Sequence, residues 1–210
     1  MHVRPICEDY GRELIYFNSI LNKSFIRGLK IMYQVGIACI GEKAPRDLVV
    51  KARKFLESIR RCRCSNNMVL FLGGYWGLMK EVVDEAIKKD FNVVLILPVE
   101  REECPSKAIC VKTSLSFKAR SITLVRSVDV LVVLGGASGT ILEAIAAYAM
   151  GIPTIVLTNT GYSSDKLKQA FGEYIDHRKT AKIYYHDDPI EVANKVCEIT
   201  CGDNFENQNS

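Results

Sequence analysis

A single carboxylate stands in an otherwise apolar segment that follows a glycine-rich turn. The segment LGGASGTILEAIAAYAMGIP covers residues 134–153, and Glu143 is the only side chain between Thr140 and Met150 expected to carry a charge. A helix that is apolar all round is buried, and an unpaired carboxylate is costly to bury. Near a bound ligand, such a group can stabilise a developing cation or take a proton from water. We therefore predict that Glu143 lines a cleft beside the turn.

Two glycine turns each end an apolar segment and open a helical one. The first contains Gly73, Gly74 and Gly77, and the second contains Gly135, Gly136, Ser138, Gly139 and Thr140. Glycine lets backbone amides approach a ligand, and a helix N-terminus favours an anion such as phosphate. Neither turn has the G-x-G-x-x-G pattern or the Lys-Ser/Thr of a P-loop. One such turn is most simply a tight strand-to-helix connection, but two favour a phosphate or nucleotide site.

A basic partner for Glu143 is available upstream. Arg120 and Arg126 lie in a helical segment that precedes the apolar segment 128–136. Whether Arg120 reaches the ligand end of the sheet depends on the orientation of that helix. A solvated helix face remains an equal alternative for both arginines.

Apolar and amphipathic segments alternate regularly along the chain. The predicted strands are 33–41, 67–74, 92–98, 128–136, 153–158 and 181–186; the predicted helices are 45–61, 77–89, 116–127, 139–150, 164–175 and 189–200. Residues 99–115 are predicted to be a loop. The pattern indicates an α/β, Rossmann-like, doubly wound fold. Its mainly parallel sheet of about six or seven strands has helices on both faces, and ligands bind at the carboxyl ends of the strands.

Length and composition narrow the class of protein. The 210 residues are interpreted as an N-terminal extension (1–30), one nucleotide-binding domain (31–201) and a polar tail (202–210). No apolar segment approaches the roughly 18–20 residues of a membrane span, and the first 30 residues lack the core of a signal peptide. We therefore expect a cytoplasmic protein without a membrane segment.

The net charge of +4 is too weak to indicate a nucleic-acid binder. Residues 43–64 carry eight basic side chains against two acidic ones. Such a run is usually a solvated face, and it has no interleaved aromatic residues for base stacking. Nucleic acid is therefore not the expected partner.

Eight cysteines are present, and most are expected to be reduced thiols. Cys62 with Cys64 and Cys197 with Cys201 come nearest to a zinc-ligand pattern, but their spacings match poorly. We therefore predict no metal site. Disulfides stay open if the source is a hyperthermophile, in which case Cys104 and Cys110 would be a suitable pair.

Two motifs resemble those of the LONELY GUY proteins. The segment LGGYWGLM, residues 72–79, resembles their GG(G)xxGLM turn. Arg120, followed fifteen residues later by GGASGTILE, resembles their R…PGGxGTxxE pattern at matching spacing. The resemblance covers roughly residues 33–160.

The resemblance implies an activity and a role for each matching residue. Characterised members are phosphoribohydrolases that cleave the base from a cytokinin riboside 5′-monophosphate, and some cleave AMP. Glu143 and Arg120 fall on the catalytic glutamate and arginine. The residues that fall on the two nucleotide-contacting turns are Gly136, Gly139 and Thr140, and Gly73, Gly74 and Gly77. No cofactor is implied, and the older label of lysine decarboxylase is disfavoured because nothing here specifies a pyridoxal-phosphate site.

Four residues depart from the family pattern. Gly135 replaces a proline, Ala137 a glycine, Ser121 a lysine and Leu142 an acidic residue. The wider superfamily also contains a molybdenum-cofactor carrier, DNA-processing protein A and nucleotide-sensing modules. Two functions therefore stay open: a nucleoside 5′-monophosphate phosphoribohydrolase, or a non-catalytic carrier or sensor of a nucleotide or phosphorylated cofactor.

The weakly charged 140–150 helix also suggests a homodimer. In a symmetric dimer this helix could pack against its mate and close the site. The alternative is that it is buried beneath C-terminal elements of its own chain.

Overall fold

A single sheet of seven parallel strands forms the centre of the protein. The computed structural model describes residues 32–202, so the predicted extension and the tail after Gly202 lie outside it. The strands are β1 Tyr33–Ala38, β2 Met68–Leu72, β3 Asn92–Leu97, β4 Ile109–Lys112, β5 Val130–Val133, β6 Thr154–Leu157 and β7 Ile183–His186. Their order is β4-β3-β2-β1-β5-β6-β7, and every neighbouring pair is parallel. The predicted α/β doubly wound fold is confirmed.

Between residues 32 and 202, six helices cover the two faces of the sheet. They are α1 Arg46–Arg60, α2 Gly77–Lys88, α3 Phe117–Arg126, α4 Ser138–Ala149, α5 Lys166–Phe171 and α6 Pro189–Cys201. Side chains of α1, α2 and α6 pack in one apolar cluster, and those of α3, α4 and α5 pack in a second. Successive strand residues point to opposite faces: Val132 joins the first cluster and Val133 the second. None of the helices between residues 32 and 202 is long and apolar enough to cross a membrane.

The strand order reverses beside β1, the central strand. From β1 the chain runs outward through β2, β3 and β4, then returns to place β5 on the other side of β1. The connections from β1 and β5 therefore diverge to opposite faces and leave a crevice between their carboxyl ends. The residues that follow Ala38 and Val133 border this crevice.

Two elements differ from the sequence prediction. Part of the predicted loop 99–115 is the edge strand β4, in which three of four residues are exposed. Its apolar run covers only residues 108–111, between Lys107 and Lys112, and is too short to distinguish a strand from a loop by sequence. The predicted helix 164–175 is a turn of 3-10 helix, Ser163–Asp165, followed by α5, which ends before Gly172 at φ +62°.

Most of the described cysteines are paired, contrary to the expectation of reduced thiols. The disulfides are Cys62–Cys197, Cys64–Cys201 and Cys104–Cys110, and Cys39 is the free cysteine within residues 32–202. The first two pairs form because the C-terminal end of α1 packs beside α6, a contact across 135 and 137 residues of sequence. Nowhere in this part of the chain do three His, Cys, Asp or Glu side chains gather in a metal-binding arrangement.

Candidate functional site

A cavity of about 420 Å³ lies at the carboxyl ends of β1, β2 and β5. We call it the switch-point cavity. Its walls come from the end of β1 and the residues after it, from the two glycine turns, and from the first turns of α3 and α4. This is the crevice in which open α/β sheets bind their ligands.

Glu143 lies buried on α4 against α3 and contacts two side chains. Its Oε1 accepts a hydrogen bond from Ser121 Oγ at 2.8 Å and one from Arg120 Nη1 at 3.3 Å. All three residues are less than 8% exposed. Within residues 32–202 no group donates a hydrogen bond to Glu143 Oε2, and this oxygen is not fully buried. It therefore keeps contact with solvent in the cavity.

Arg120 is fixed by the end of β2 as well as by Glu143. A Cβ atom on Gly73 would lie 1.8 Å from Arg120 Nη1, so the guanidinium packs directly on a backbone that has no side chain. Arg120 Nε is buried without a partner, whereas Nη2 makes no hydrogen bond within residues 32–202 and keeps solvent contact. A buried donor without a partner calls for an explanation, and a functional site is one.

Burial and pairing act in opposite directions on the charges of this pair. Burial raises the pKa of Glu143, and Arg120 and Ser121 partly oppose the rise. Burial lowers the pKa of Arg120, while the carboxylate of Glu143 opposes that change. Burial, together with Glu143, also raises the pKa of the Cys39 thiol, so this thiol is neutral. A carboxyl group with a raised pKa is suited to proton exchange near neutral pH.

The second glycine turn presents an uncapped helix start to the cavity. Ala137, Gly139 and Thr140 line the cavity, and no side chain caps α4. The first backbone bond of the helix runs from Ile141 N–H to the carbonyl of Ala137 at 3.0 Å. The N–H groups of residues 138–140 are therefore free of helical partners, the arrangement that favours an anion.

Other predicted members of this turn have structural partners instead. The N–H of Gly136 donates to Ser164 Oγ at 3.0 Å, and Gly136 and Gly135 are both buried behind the cavity wall. Gly135 has φ +90°, a conformation that proline cannot adopt. Ala137, in contrast, has an ordinary extended conformation, so its methyl group causes no backbone strain.

The structure brings five of the predicted site residues to the cavity. These are Arg120, Glu143, Gly73, Gly139 and Thr140; those outside its lining are Gly74, Gly77, Gly135, Gly136 and Ser138. A Cβ on Gly74 would overlap the ring of Trp76, and one on Gly77 would overlap the backbone of Gly41 and Glu42. These two glycines therefore serve close packing in the structure. Arg126 is exposed at the end of α3 and does not line the cavity.

Several residues of the cavity wall cannot be identified from the sequence. Ser121 departs from the family pattern, yet it makes the shorter of the two hydrogen bonds to Glu143. Residues 37–42 line the cavity because they end β1, which only the strand order identifies as the switch point. Trp76 packs inward: it is 8% exposed and meets Phe117 edge-on at 5.9 Å between ring centroids.

Fold and cavity together define a Rossmann-like protein with a candidate ligand site at the switch point. The model of the SLOG cluster4 family matches residues 32–193, and the chain belongs to this family. Its superfamily includes the LONELY GUY proteins, as the two sequence motifs predict. The chain is also 32% identical to TM1055, of known crystal structure, with a TM-score of 0.68 over 80% of this chain and 99% of that one.

Two molybdenum-cofactor proteins share the fold at lower identity. The carrier protein from Chlamydomonas reinhardtii is 20% identical, with a TM-score of 0.66 over 81% of this chain and 99% of that one. The cofactor-binding protein from the phototrophic bacterium Rippkaea orientalis is 22% identical, with a TM-score of 0.64 over 80% and 96%. No curated protein matches the sequence.

Proposed function

We propose that the switch-point cavity binds a nucleoside 5′-monophosphate and that Glu143 promotes hydrolysis of its N-glycosidic bond. The observation that carries the proposal is the state of the Glu143 carboxylate. Arg120 and Ser121 hold one oxygen, while no group within residues 32–202 donates to the other, and the uncapped start of α4 lines the same cavity. A phosphate on the N–H groups of residues 138–140 would anchor the sugar in the same cavity as the carboxylate.

A carboxylate can assist hydrolysis of the N-glycosidic bond in two ways. As the bond from C1′ to the base nitrogen breaks, its electron pair leaves with the base and the sugar gains oxocarbenium character. Glu143 Oε2 stabilises that charge and takes a proton from the water that adds to C1′. The proton finally resides on the released base. Because the phosphate is bound away from the bond that breaks, its binding energy helps to orient the sugar.

Arg120 has a double role in this proposal. Nη1 holds Glu143, and Nη2 is available to a ligand oxygen or to the departing base. A guanidinium keeps its charge at all relevant pH values and hydrogen-bonds in a fixed plane. In this proposal the buried ion pair recognises an anionic or polar group of the ligand, and its role is not to stabilise the fold.

The test is chromatography of free base released from a panel of nucleoside 5′-monophosphates. We expect the wild-type chain to release base from at least one member and Glu143→Gln to lose about 100-fold or more, the scale of general-base contributions. Glu191→Gln, at an exposed position on α6, is the matched control and should keep full activity. Nucleosides without phosphate should react far more slowly.

A carrier is the second candidate, and a specific feature favours it. Ala137 places a methyl group on the cavity wall where the hydrolases have glycine, which restricts the approach of a phosphate to the backbone. The molybdenum-cofactor proteins of similar fold have names that describe such binding. Binding of the monophosphate panel without base release, equally strong in Glu143→Gln, would favour a carrier or sensor of a phosphorylated ligand.

A homodimer through the α3–α4 surface also remains a proposal. Six of the twelve residues of α4 are buried, whereas Ile145 on α4 and Ile122 on α3 are 36% and 38% exposed. In sedimentation velocity, Ile145→Lys should convert a dimer to a monomer. Ile109→Lys, at the exposed edge strand, is the control and should leave the dimer intact.

A further inference from the structure

A second cavity adjoins the first on the other side of Trp76. Its volume is about 660 Å³, and it lies between the N-terminal halves of α1 and α2. Gly41 and Trp76 line both cavities, so the two cavities adjoin at these residues. We call this second cavity the basic groove; its charged residues are Lys43, Arg46, Arg53, Arg101 and Glu81.

The groove has an uncompensated positive charge. Arg53 is paired with Glu81 at 3.0 Å, and Arg101 is paired with Glu103 at 3.1 Å. Lys43 and Arg46 are exposed, and no ion pair forms at either among the described residues. Two free cations at the mouth of a concave surface attract an anionic group more strongly than the same charges on a flat one.

The N-terminal end of α1 adds to the positive electrostatic potential of the groove. Its first backbone bond runs from Val49 N–H to the carbonyl of Pro45, and no side chain caps the helix. The N–H groups of residues 46–48 therefore remain without helical partners. A cation in the first turn opposes the helix dipole, so Arg46 is unfavourable there unless an anion joins it. Only Asp47 provides a negative charge in that turn.

Trp76 offers a polar atom to a ligand that spans the two cavities. Its indole Nε1 donates no hydrogen bond within residues 32–202, and this nitrogen is not fully buried. A Cβ on Gly41 would lie 2.7 Å from this nitrogen, so the glycine leaves the indole edge uncovered. Arg101 lies over the ring at 5.0 Å and holds the side chain in place.

We infer that the ligand of this protein carries a second phosphate, and that the basic groove binds it. This inference rests on the proposed function, in which the first phosphate occupies the N–H groups of residues 138–140. The two anion-binding sites lie in different cavities that adjoin at Trp76, so the second phosphate is separated from the first by the body of the nucleotide. The ligand class is therefore a nucleoside bisphosphate or a dinucleotide rather than a simple monophosphate.

A single nucleotide fits these features better than a nucleic-acid strand. The hydroxyl of Tyr75 is bonded to Asp84 and Lys80, and Trp76 is 8% exposed. Neither ring is therefore presented to solvent as a stacking platform, which single-strand binders require. The groove also ends at a cavity closed by Glu143 and Arg120, whereas a strand needs a continuous surface.

The experiment is calorimetric titration of the full chain with AMP, ADP and adenosine 3′,5′-bisphosphate, and with the guanine series. We expect the bisphosphate to bind about tenfold tighter than the monophosphate with the same base, the effect of one or two charge-assisted hydrogen bonds. In Lys43→Gln/Arg46→Gln this gain should disappear while affinity for the monophosphate stays within about twofold. Arg61→Gln/Arg126→Gln removes the same number of charges at exposed positions outside the groove; it is the matched control and should retain the gain.

The outcomes separate the inference from the proposed function. If the monophosphate binds and the bisphosphate gains nothing, the inference fails while the proposed function stands. If Lys43→Gln/Arg46→Gln keeps the gain in affinity for the bisphosphate, the second phosphate binds outside the groove and the inference is also overturned. A single-stranded oligonucleotide that displaces the bisphosphate, and loses affinity in the same variant, would assign the groove to nucleic acid. Absence of monophosphate binding would instead count against the proposed function.

Discussion

The Arg120–Glu143 pair is better explained by function than by stability. Both side chains are buried, and removing two charges from water costs several kcal/mol per ion. The attraction between them offsets that cost only if the remaining polar atoms are satisfied. Arg120 Nε has no partner and Glu143 Oε2 accepts no bond from the described residues. A core that needed only stability would be served as well by apolar side chains.

Ser121 is predicted to set the protonation of Glu143. Its hydroxyl donates to the charged form of the carboxylate, so Ser121→Ala should raise the pKa of Glu143 further. If ionised Glu143 is the active form, the acid limb of the pH profile of base release or ligand binding shifts to higher pH. Thr123→Ala is the control because Thr123 bonds only to the backbone of its own helix. An unchanged acid limb in Ser121→Ala would remove Ser121 from the site.

Arg120→Ala should destabilise the fold in a pH-dependent way. Without the guanidinium, Glu143 is a buried unpaired acid, whose folded-state pKa rises above the unfolded value. Its stabilising contribution is then complete below the unfolded pKa and is lost as pH rises through the folded pKa. Urea unfolding should give a loss of about 3–5 kcal/mol at neutral pH and a smaller loss near pH 5. Adding Glu143→Gln should recover part of the loss; equal losses at both pH values would contradict this account.

At the scale of elements, the glycines of the two turns serve different purposes. In the first turn, Gly73 gives room to Arg120, and Gly77 lets α2 begin against the backbone of residues 41–42. In the second turn, a Cβ on Gly139 would meet no atom within 4 Å. Packing therefore explains the first turn, whereas nothing in the protein itself requires glycine at position 139. A ligand that approaches the start of α4 closely does require it.

Gly139→Ala separates stability from binding. Alanine loses less chain entropy than glycine in a helix and meets open space here, so the free energy of unfolding should rise by about 0.5–1 kcal/mol. The added methyl group lies on the cavity wall and should weaken monophosphate binding by about tenfold. Thermal unfolding and calorimetric titration measure the two effects. Ser58→Ala on α1, outside the lining of both cavities, is the control; unchanged affinity in Gly139→Ala would remove residues 138–140 as the phosphate site.

The inner elements could be predicted from sequence because each has a local signal. Buried parallel strands such as β5 are continuous apolar runs, and α2 has its apolar residues on one face. Edge strand β4 has a weaker signal, because its apolar run is limited to residues 108–111 between Lys107 and Lys112, inside a polar segment that is typical of a loop. The site was predictable where glycine and charge stand out in an apolar context, as at Glu143. Ser121 was not, because a serine in a helix has no signal until its partner is known.

At the scale of the whole molecule, long-range contacts explain the cysteine pairing that the sequence did not predict. The ends of α1 and α6 meet although most of the domain separates them, and Cys62–Cys197 and Cys64–Cys201 join them there. Neither spacing of two or four residues predicts such a pairing, since disulfide connectivity depends on the fold. The two bonds lie one helical turn apart on α6, so together they hold α6 against the end of α1.

The two long-range disulfides should contribute non-additively to stability. Either bond alone closes a loop of 135 or 137 residues, which removes about 5 kcal/mol of chain entropy from the unfolded state. Once one bond exists, the other closes only a small ring through residues 62–64 and 197–201. Cys64→Ala/Cys201→Ala should therefore cost only about 2 kcal/mol, the same order as removing Cys104–Cys110, whose residues are six apart. Reductant then breaks the remaining long-range bond together with Cys104–Cys110, so the further loss in urea unfolding should be about 7 kcal/mol, of which about 5 belongs to the long-range bond. Equal losses at the two steps, or no response to reductant, would contradict a pair of bonds that share one loop.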